Sequence, residues 1–378
     1  MMTCETYLPR IGGAEIHVKN LLERLWGDGH ETILITNEIG EFTPNVIRIP
    51  WSKKNLSKLI REVWVLSRGV DVIHSHYCHR LALISGMVGL VRRKPVIVTL
   101  HGMGILDHPS ASALGRLSHS FYRYWSLQLA TKIISTSEDL AVVADKYISR
   151  KKVVVIMNGY DSKIFTPEES NVSSVAPTLV GKKIIMTVRR LVPKNGIQYL
   201  VEAAPKIIQK DPSAHFLLIG DGPLRGKLEM RVKELNVQNN VTFLGRIAND
   251  KVVEYLRVAD VVVFPSTAES SSIACAEAMG MNKIVVASRV GGLVELLGKK
   301  EERGYLVDLV PWQGSNYDAP EYLPDSSYEN LASTILRAIS DLETSSQKKS
   351  HALEYATNNL SWGAIYKATK LVYFKASL

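Results

Sequence analysis

The chain has 378 residues and a formal net charge of +9, with 46% of its residues hydrophobic and 22% charged. This composition is typical of a globular protein, and the length suits two domains that each bury a core. The longest apolar run, Leu81 to Val91, is too short to span a bilayer and predicts a buried helix. Three cysteines without metal-type spacing, and no recognisable signal peptide, lead us to expect a reducing, cytoplasmic location.

Most of the excess positive charge lies in one segment. Arg48 to Lys94 holds ten Lys or Arg and two acids, a net charge of +8 out of the total of +9. A solvated basic face is the ordinary interpretation, and peripheral contact with an anionic membrane, at its inner face, is the alternative. No nucleic-acid motif or aromatic-interleaved basic stripe accompanies the charge, so we expect no nucleic-acid partner.

The first elements predict a Gly-rich loop between a strand and a helix. Only Met1 to Cys4 precede the loop from Tyr7 to Gly13, so this strand is expected to be short. Gly12 and Gly13 permit positive φ and close approach of the backbone to a ligand. In the helix that follows, the apolar residues with i, i+3, i+4, i+7 spacing are Val18, Leu21, Leu22 and Leu25.

Further apolar runs predict the strands of a parallel sheet in the first half of the chain. These runs are Thr32–Thr36, Asp71–His76, Pro95–Leu100, Ile133–Ser137 and Val153–Ile156. His74 and His76 share one strand face, and Cys78 and His79 follow closely, which raises a metal site. No carboxylate completes such a site, so we favour histidines that line a cleft. The stretch Phe165–Pro177 predicts an interdomain linker.

The second half of the chain repeats this pattern. Its predicted strands are Ile184–Val188, His215–Ile219, Val241–Leu244, Val261–Phe264 and Ile284–Ala287. A helix predicted from Ile273 to Met279 would offer free N–H groups at its start, which suit a phosphate. Pro205 is expected to kink or end the helix after the first of these strands. The turn Gly220–Pro223 carries no dinucleotide fingerprint, because position 225 is Arg rather than Gly.

Several motifs, in order along the chain, make it resemble a known family. They are V-I-V-T-L-H-G ending at His101-Gly102, N-G-Y-D from Asn158, R-L-V-P-K-N-G from Arg190, and Glu269-x₇-Glu277 before V-V-A-S-R-V-G-G. This set is similar to that of the retaining glycosyltransferases of family 4, which have the GT-B fold. The resemblance implies an α/β protein with two Rossmann-like parallel-sheet domains facing across a cleft. We therefore expect an acceptor-side domain at 1–170, a nucleotide-sugar donor domain at 171–355, and a C-terminal helix within 356–378 that returns to the first domain.

The resemblance also implies roles for the matching residues. The catalytic set would be His101, which contacts the donor sugar, Arg190, which neutralises the diphosphate, and Glu269, which holds the sugar hydroxyls. Glu277 would bind both ribose hydroxyls. The family's lysine falls on Asn195, so Lys194, one place earlier, is expected to reach the phosphates. The other donor-binding residues would be Gly12, Gly13, Gly222, Arg246, Ser271, Ser272 and Ile273.

The implied reaction moves a hexosyl group from a UDP- or GDP-linked sugar to an acceptor hydroxyl, with retention of configuration. The acceptor would be a glycolipid, a polysaccharide precursor or a small molecule. Because the sequence has no Asp-x-Asp pair, we expect no metal and no cofactor beyond the nucleotide-sugar substrate. Glu269 is followed by three serines where relatives have E-G-F-G, so the sequence predicts neither the donor sugar nor its base. A GT-B epimerase or phosphorylase and a non-catalytic nucleotide-sugar-binding module are the alternative classes.

Overall fold

A computed structural model describes residues 1–10, 12–102, 112–168, 172–309 and 319–377. The chain divides into two compact units, the first formed by Met1–Gly159 and Trp362–Leu378, the second by Tyr160–Ser361. The first segment of the first unit ends at Gly159, before the linker that we predicted at 165–177 and before the expected domain boundary at residue 170. Among the described residues, no helix has the length and apolar character needed to cross a membrane.

The first unit contains a seven-stranded parallel sheet with the order β3-β2-β1-β4-β5-β6-β7. The strands are β1 (Met2–Cys4), β2 (Leu34–Thr36), β3 (Val46–Arg48), β4 (Ile73–His76), β5 (Val96–Leu100), β6 (Lys132–Ser135) and β7 (Val153–Val155). The short strand β1 is central, and its Met2 pairs with Leu34 of β2 and with His74 of β4. The strand order therefore reverses between β1 and β4, a position where open α/β sheets commonly bind ligands.

Helices cover both faces of this sheet. They are α1 (Gly13–Gly27), α2 (Leu56–Leu66), α3 (Arg80–Arg92), α4 (Ala113–Gln128), α5 (Glu138–Ala144) and the C-terminal helix, numbered α14 (Trp362–Ser377). One core cluster joins β2 through Ile35 to residues of α2, α3 and α4 such as Leu59 and Leu127. The neighbouring Leu34 belongs to a second cluster with α1 and α14. Since successive strand residues point to opposite faces, α2–α4 and α1/α14 lie on opposite sides of the sheet.

The second unit contains a six-stranded parallel sheet with the order β10-β9-β8-β11-β12-β13. The strands are β8 (Lys183–Val188), β9 (Ala214–Ile219), β10 (Val241–Gly245), β11 (Val261–Phe264), β12 (Ile284–Ser288) and β13 (Tyr305–Val307). The helices are α6 (Val172–Val175), α7 (Ile197–Lys210), α8 (Arg225–Glu234), α9 (Asn249–Val258), α10 (Ile273–Gly280), α11 (Gly291–Leu297), α12 (Asp325–Ser340) and α13 (Leu342–Tyr355), followed by a π-helical turn (Ala356–Leu360). The strand order reverses between β8 and β11, which pair at Ile185 and Val261.

Most of the predicted strands are confirmed, and two helices differ in part from what we expected. Pro205 does not end α7, which continues to Lys210. The apolar run at Leu81–Val91 does form a helix, α3, but Met87, Leu90 and Val91 in it are exposed rather than buried.

Candidate active site

Two charged side chains meet where the strand order of the second unit reverses. Arg189 directly follows β8, and Glu269 lies on the loop between β11 and α10. Their guanidinium and carboxylate groups form an ion pair, with side chains only 10% and 13% exposed. Arg189 also donates from Nη2 to Ser266 Oγ at 2.7 Å and from Nη1 to Ser272 Oγ at 3.0 Å. The pair therefore ties the end of β8 to both ends of the loop that carries Glu269.

The sequence motif does not single out Arg189. It assigned the diphosphate to Arg190, whose side chain is exposed. Arg190 makes no side-chain hydrogen bond or ion pair within the described ranges, whereas Arg189 is engaged on three sides. Neighbouring residues at a strand end point to opposite sides, so two consecutive arginines predict one inward and one outward cation. The pair of consecutive arginines could therefore have shown that one of them points into the site, but not that this one is Arg189.

The electrostatic surroundings keep Glu269 ionised. Burial opposes the charge on this carboxyl, but Arg189 and then Lys194 outweigh burial and hold its pKa below the ordinary value. For Lys194, burial is the larger effect and lowers the pKa, while Glu269 acts in the opposite direction. The Lys194 ammonium is thus coupled to the same carboxylate as Arg189. This coupling places Lys194 at the site.

Asn195, which occupies the family's lysine position, is bonded to the backbone of the turn after β8. It is buried, and its Nδ2 donates to the Arg190 carbonyl oxygen at 2.7 Å. The neighbouring Lys194 carbonyl accepts from the Thr267 backbone N–H at 2.8 Å, which joins this turn to the β11 loop. Gly196 adopts φ +71°, and a Cβ there would strike the Pro265 carbonyl. The turn after β8 therefore packs directly on the loop after β11.

The start of α10 provides backbone donors beside Glu269. Ser272 caps the helix by accepting from the Cys275 N–H at 3.2 Å, and Ile273 is the first helical residue. Ser271 and Ser272 are both buried. The Ser272 hydroxyl accepts from Arg189 as well, so this serine organises the loop from within it. The remaining N–H groups at a helix start, with the positive end of the helix dipole, favour an anion.

Glu277 occupies a different environment on the second turn of α10. Burial, and then the nearby Asp161, raises the pKa of this carboxyl to about 7. No hydrogen bond to its carboxylate is present within the part of the chain that the structure describes. Glu269 is therefore a partnered anion and Glu277 an unpartnered acid that can accept hydrogen bonds from a ligand, a difference that the E-x₇-E spacing alone does not reveal.

The remaining predicted donor-binding residues of this unit follow neighbouring strands. Gly222 follows β9, and a Cβ there would strike the Leu191 carbonyl. Arg246 follows β10 and is exposed. Because carboxyl ends of parallel strands share one edge of a sheet, these residues lie on the edge that also carries Arg189 and Glu269. Gly292, at the start of α11, donates its N–H to the Glu269 carbonyl at 3.0 Å and fixes the loop from that side.

In the first unit, His101 belongs to a cluster of buried histidines. It directly follows β5, and its Nε2 lies 2.9 Å from Nδ1 of His76 at the end of β4. The ring of His17, on α1, lies 4.9 Å from that of His101, and its Nδ1 lies 3.0 Å from Asn158 Oδ1. Burial is the main cause that lowers the pKa of His17 to about 4 and the pKa values of His76 and His101 well below their usual range. These imidazoles are therefore neutral at physiological pH.

The histidine cluster is also the set in the described residues that could hold a metal ion. One nitrogen from each of His17, His76 and His101 lies within 4.8 Å of the others. This set differs from the one that the sequence raised, because it includes neither Cys78 nor His79. The His79 ring lies tilted beside that of His119, with ring centroids 4.8 Å apart. The sequence did not identify His17, which lies within the apolar pattern of α1.

The loop before α1 differs from the expectation in its backbone. Gly12 has φ −160°, an extended conformation open to any residue, and Gly13 is the first residue of α1. Neither residue uses the left-handed region that a glycine permits. Gly12 instead leaves room for the Glu15 carboxylate, which a Cβ at position 12 would strike. Residue 11 of this predicted loop lies outside the described residues.

Two protein families match the chain along its length. The description "Glycosyltransferase Family 4" matches residues 11–163, and "Glycosyl transferases group 1" matches residues 173–314. An uncharacterized glycosyltransferase of Methanocaldococcus jannaschii is 31% identical over 350 residues, covering 82% of this chain and 86% of that protein. A phosphatidylinositol N-acetylglucosaminyltransferase protein from Arabidopsis thaliana is 25% identical, covering 100% of this chain and 81% of that protein.

Solved structures are similar over the same length. The Anabaena protein HepE, crystallised with UDP, has a TM-score of 0.80 at 20% identity and covers 100% of this chain and 99% of its own. Sucrose-phosphate synthase from Thermosynechococcus elongatus has a TM-score of 0.76 at 23% identity, covering 99% of this chain and 98% of its own. The chain therefore belongs to glycosyltransferase family 4 and has the two parallel-sheet, Rossmann-like domains of the GT-B fold, as its motifs predicted.

Proposed function

We propose that the protein is a retaining, metal-independent glycosyltransferase that moves a hexosyl group from a nucleoside-diphosphate sugar to an acceptor hydroxyl. The observation that carries the proposal is the cationic edge of the second sheet. There Arg189, Arg190 and Lys194 lie on the turn after β8, beside the start of α10 and the anionic Glu269. A site that must stabilise charge on leaving phosphates needs such fixed cations and backbone donors. The crystallised complex of HepE with UDP is consistent with this donor class.

The two glutamates would divide the donor between them. Glu277 has no hydrogen-bond partner among the described residues and would accept from the two ribose hydroxyls. Glu269, held by Arg189 and Ser272 through the loop, would accept from hydroxyls of the sugar. Arg190, exposed and unpaired in the described structure, would bind the diphosphate together with Lys194 and the N–H groups near Ile273. In the first unit, His101 would contact the sugar, the role that its motif implies.

The reaction needs no protein nucleophile. The bond between the anomeric carbon and the diphosphate oxygen breaks, and its electron pair stays on that oxygen. The acceptor oxygen forms a new bond to the same face of the carbon, and its proton passes to the departing phosphate. The base is therefore the leaving group itself, and retention follows from attack on the face that the phosphate leaves. The protein would accelerate this step by holding the phosphate charge and the sugar in place.

A transfer assay with retention as its readout tests the proposal. The purified chain is incubated with UDP- and GDP-linked hexoses and N-acetylhexosamines, in chelator. The acceptors are phosphatidylinositol and D-inositol 3-phosphate, which appear in the names of similar glycosyltransferases. We expect a glycoside whose anomeric configuration, measured by NMR, equals that of the donor. An inverted product, or activity that only a metal restores, would contradict the mechanism.

Two parallel reactions distinguish the alternative enzyme classes. Incubation with a nucleotide sugar and no acceptor would yield an epimer if the protein were an epimerase. Incubation of a glycoside with inorganic phosphate would yield a sugar phosphate if it were a phosphorylase. A non-catalytic binding module would bind the donor, as measured by calorimetry, but would turn over none of the donor–acceptor pairs.

A further inference from the structure

Three buried histidines of the first unit converge at the carboxyl edge of its sheet. His76 ends β4 and His101 directly follows β5, and these two strands are neighbours in the sheet. His17 lies on α1, the helix that follows β1. The three residues are 1–8% exposed, and one ring nitrogen from each lies within 4.8 Å of the others. Three elements distant in sequence thus bring three imidazoles together in the protein interior.

The hydrogen bonds of this cluster are incomplete. His76 Nδ1 and His101 Nε2 lie 2.9 Å apart and share one hydrogen. Two neutral imidazoles carry two N–H groups and two lone pairs, and this bond uses one of each. The other two nitrogens, His76 Nε2 and His101 Nδ1, are buried without a hydrogen-bond partner among the described residues. Folded proteins rarely leave buried polar atoms unpaired unless the site binds an ion or takes part in chemistry.

The side chain of Asn158 determines which nitrogen of His17 can bind a ligand. His17 Nδ1 lies 3.0 Å from Asn158 Oδ1, and an amide oxygen only accepts hydrogen bonds. Nδ1 therefore carries the hydrogen, and Nε2 carries the lone pair. Histidines that bind metals in proteins show this arrangement, because a hydrogen bond from the second nitrogen to an oxygen fixes the tautomer and the ring orientation. His17 thus has the tautomer of a metal ligand.

The composition of the cluster selects the class of metal. The set consists of imidazoles, without a carboxylate or a thiolate. Imidazole suits Zn²⁺ and related transition metals, whereas Mg²⁺ and Ca²⁺ prefer oxygen ligands. Zn²⁺ binds three histidines and keeps a fourth position open in some proteins. Tetrahedral Zn–N bonds of about 2.0–2.1 Å place two ligand nitrogens roughly 3.4 Å apart, so rings that now lie within 4.8 Å would each shift by up to about 1 Å.

We propose that His17, His76 and His101 bind one Zn²⁺ ion, or a chemically similar transition-metal ion, within the first unit. This site differs from our sequence-based expectation of no metal, for which His17 was not considered. The ion is no cofactor of the proposed transfer. Because His101 is also proposed to contact the donor sugar, the bound ion would occupy that side chain and inhibit the reaction. Inhibition rests on the proposed function, whereas binding of the ion does not.

Calorimetry of the untagged full chain with Zn²⁺ tests the proposal. The chain is first freed of metal with a chelator, which is then removed by dialysis. We expect one ion to bind per chain. X-ray absorption of the zinc-loaded chain then counts the imidazole ligands without any substitution, and we expect three. Neither measurement needs a donor or an acceptor, so a chain that is inactive in the transfer assay can still bind the ion as expected.

Substitutions compare the cluster with a matched histidine outside it. His17→Gln and His76→Gln should each weaken Zn²⁺ binding about a hundredfold or more, because even the outer partners of metal ligands contribute about 10- to 100-fold. The control is His215→Gln in the second unit, where a buried histidine has its Nε2 2.9 Å from Thr242 Oγ1. The control should bind Zn²⁺ like the unaltered chain, and circular dichroism checks that all three variants fold.

Three results would overturn the proposal. The first is no binding of Zn²⁺ to the unaltered chain. The second is an X-ray absorption spectrum with fewer than three imidazole ligands. The third is an equal Zn²⁺ affinity of the two cluster variants and the His215→Gln control, because the ion would then bind elsewhere. A transfer rate that stays unchanged when Zn²⁺ saturates the chain would overturn the inhibitory role alone.

Discussion

The Arg189 guanidinium and the Glu269 carboxylate form an ion pair where β8 and β11 reverse the strand order of the second sheet. Arg189 lies one residue before the arginine that the family motif assigns to the diphosphate. It holds the loop after β11 through Ser266 and Ser272 as well as through Glu269. The orientation of Glu269 in this chain therefore depends on a residue that the motif leaves out.

Removing Arg189 should cost stability. Arg189→Met leaves the Glu269 carboxylate buried without its main partner, and losses of this kind are about 3–5 kcal/mol. Chemical unfolding monitored by circular dichroism measures the change. The double variant Arg189→Met with Glu269→Gln should recover part of the loss, because no buried charge then remains. If Arg189→Met is as stable as the unaltered chain, the ion pair does not hold the loop.

The same pair predicts a dependence of stability on pH. The pKa of Glu269 is lower in the folded chain than in the unfolded one, because Arg189 and Lys194 outweigh burial. Its contribution to stability is then complete above the ordinary pKa and is lost as pH falls through the lower, folded value. Unfolding free energies measured from neutral to acidic pH should fall less steeply in Glu269→Gln. An unchanged acid slope in this variant would contradict the direction of the pKa shift.

Donor binding should depend on the protonation of Glu277. Its pKa is raised to about 7, so below that pH the carboxyl is protonated and accepts ribose hydroxyls poorly. Affinity should rise with pH by up to about tenfold per unit below the pKa and level off above it. A nucleotide sugar is the suitable ligand because its diphosphate is esterified at both ends and does not titrate near pH 7. In calorimetry, Glu277→Gln should bind more weakly and lose this dependence; a pH profile equal to that of the unaltered chain would exclude Glu277 as the titrating group.

The lysine substitution can be tested in both directions. Lys194→Met should lower turnover, because the ammonium coupled to Glu269 is also proposed to neutralise the diphosphate. Asn195→Lys restores the family's residue but should destabilise the fold by about 1–3 kcal/mol, because the buried Asn195 amide donates to the Arg190 carbonyl. Steady-state rates and unfolding free energies are compared for both variants. If Asn195→Lys is stable and Lys194→Met fully active, the roles of the two positions are not those proposed.

The backbone contact at Gly292 offers a test of the loop without changing any charge. A Cβ on Gly292 would strike the Ser270 carbonyl, so Gly292→Ala should displace the loop with Glu269 and reduce transfer. Gly226 on α8 has open space at the same position, and Gly226→Ala should be neutral or more stable by roughly 0.5–1 kcal/mol. Equal transfer rates for the two variants would show that the loop tolerates the shift.

The sequence predicted some elements of the fold closely and others only in part. β11 and α10 were predicted within one residue, because a short, fully apolar run followed by a polar loop permits few other structures. Helix α3 was predicted as an element, but not its exposed side, since periodicity does not reveal whether an apolar face meets the core or solvent. Pro205 was expected to disturb α7, yet the helix continues beyond it, because its packing outweighs a local preference.

The candidate site, too, was predicted only in part. The resemblance assigned Glu269, Glu277 and the turn after β8 to the binding of one donor, and the strand order brings that turn and the loop after β11 to the same edge of the second sheet. They did not predict that Glu269 is paired and Glu277 is not. Nor did they predict that Arg189 turns inward. These properties depend on the packing between strands distant in sequence, which local spacing does not encode.

Calorimetry with free UDP and GDP on the two glutamate variants tests the central claim most directly. Glu277→Ala should weaken the free diphosphate by about ten- to a hundredfold, because a charged hydrogen bond to the ribose is lost. Glu269→Gln, which keeps a partner for Arg189, should leave free diphosphate binding nearly unchanged while transfer from the nucleotide sugar falls steeply. Arg190→Ala should weaken both binding and transfer. Equal losses of diphosphate affinity in Glu269→Gln and Glu277→Ala would contradict the division of the donor between the two glutamates.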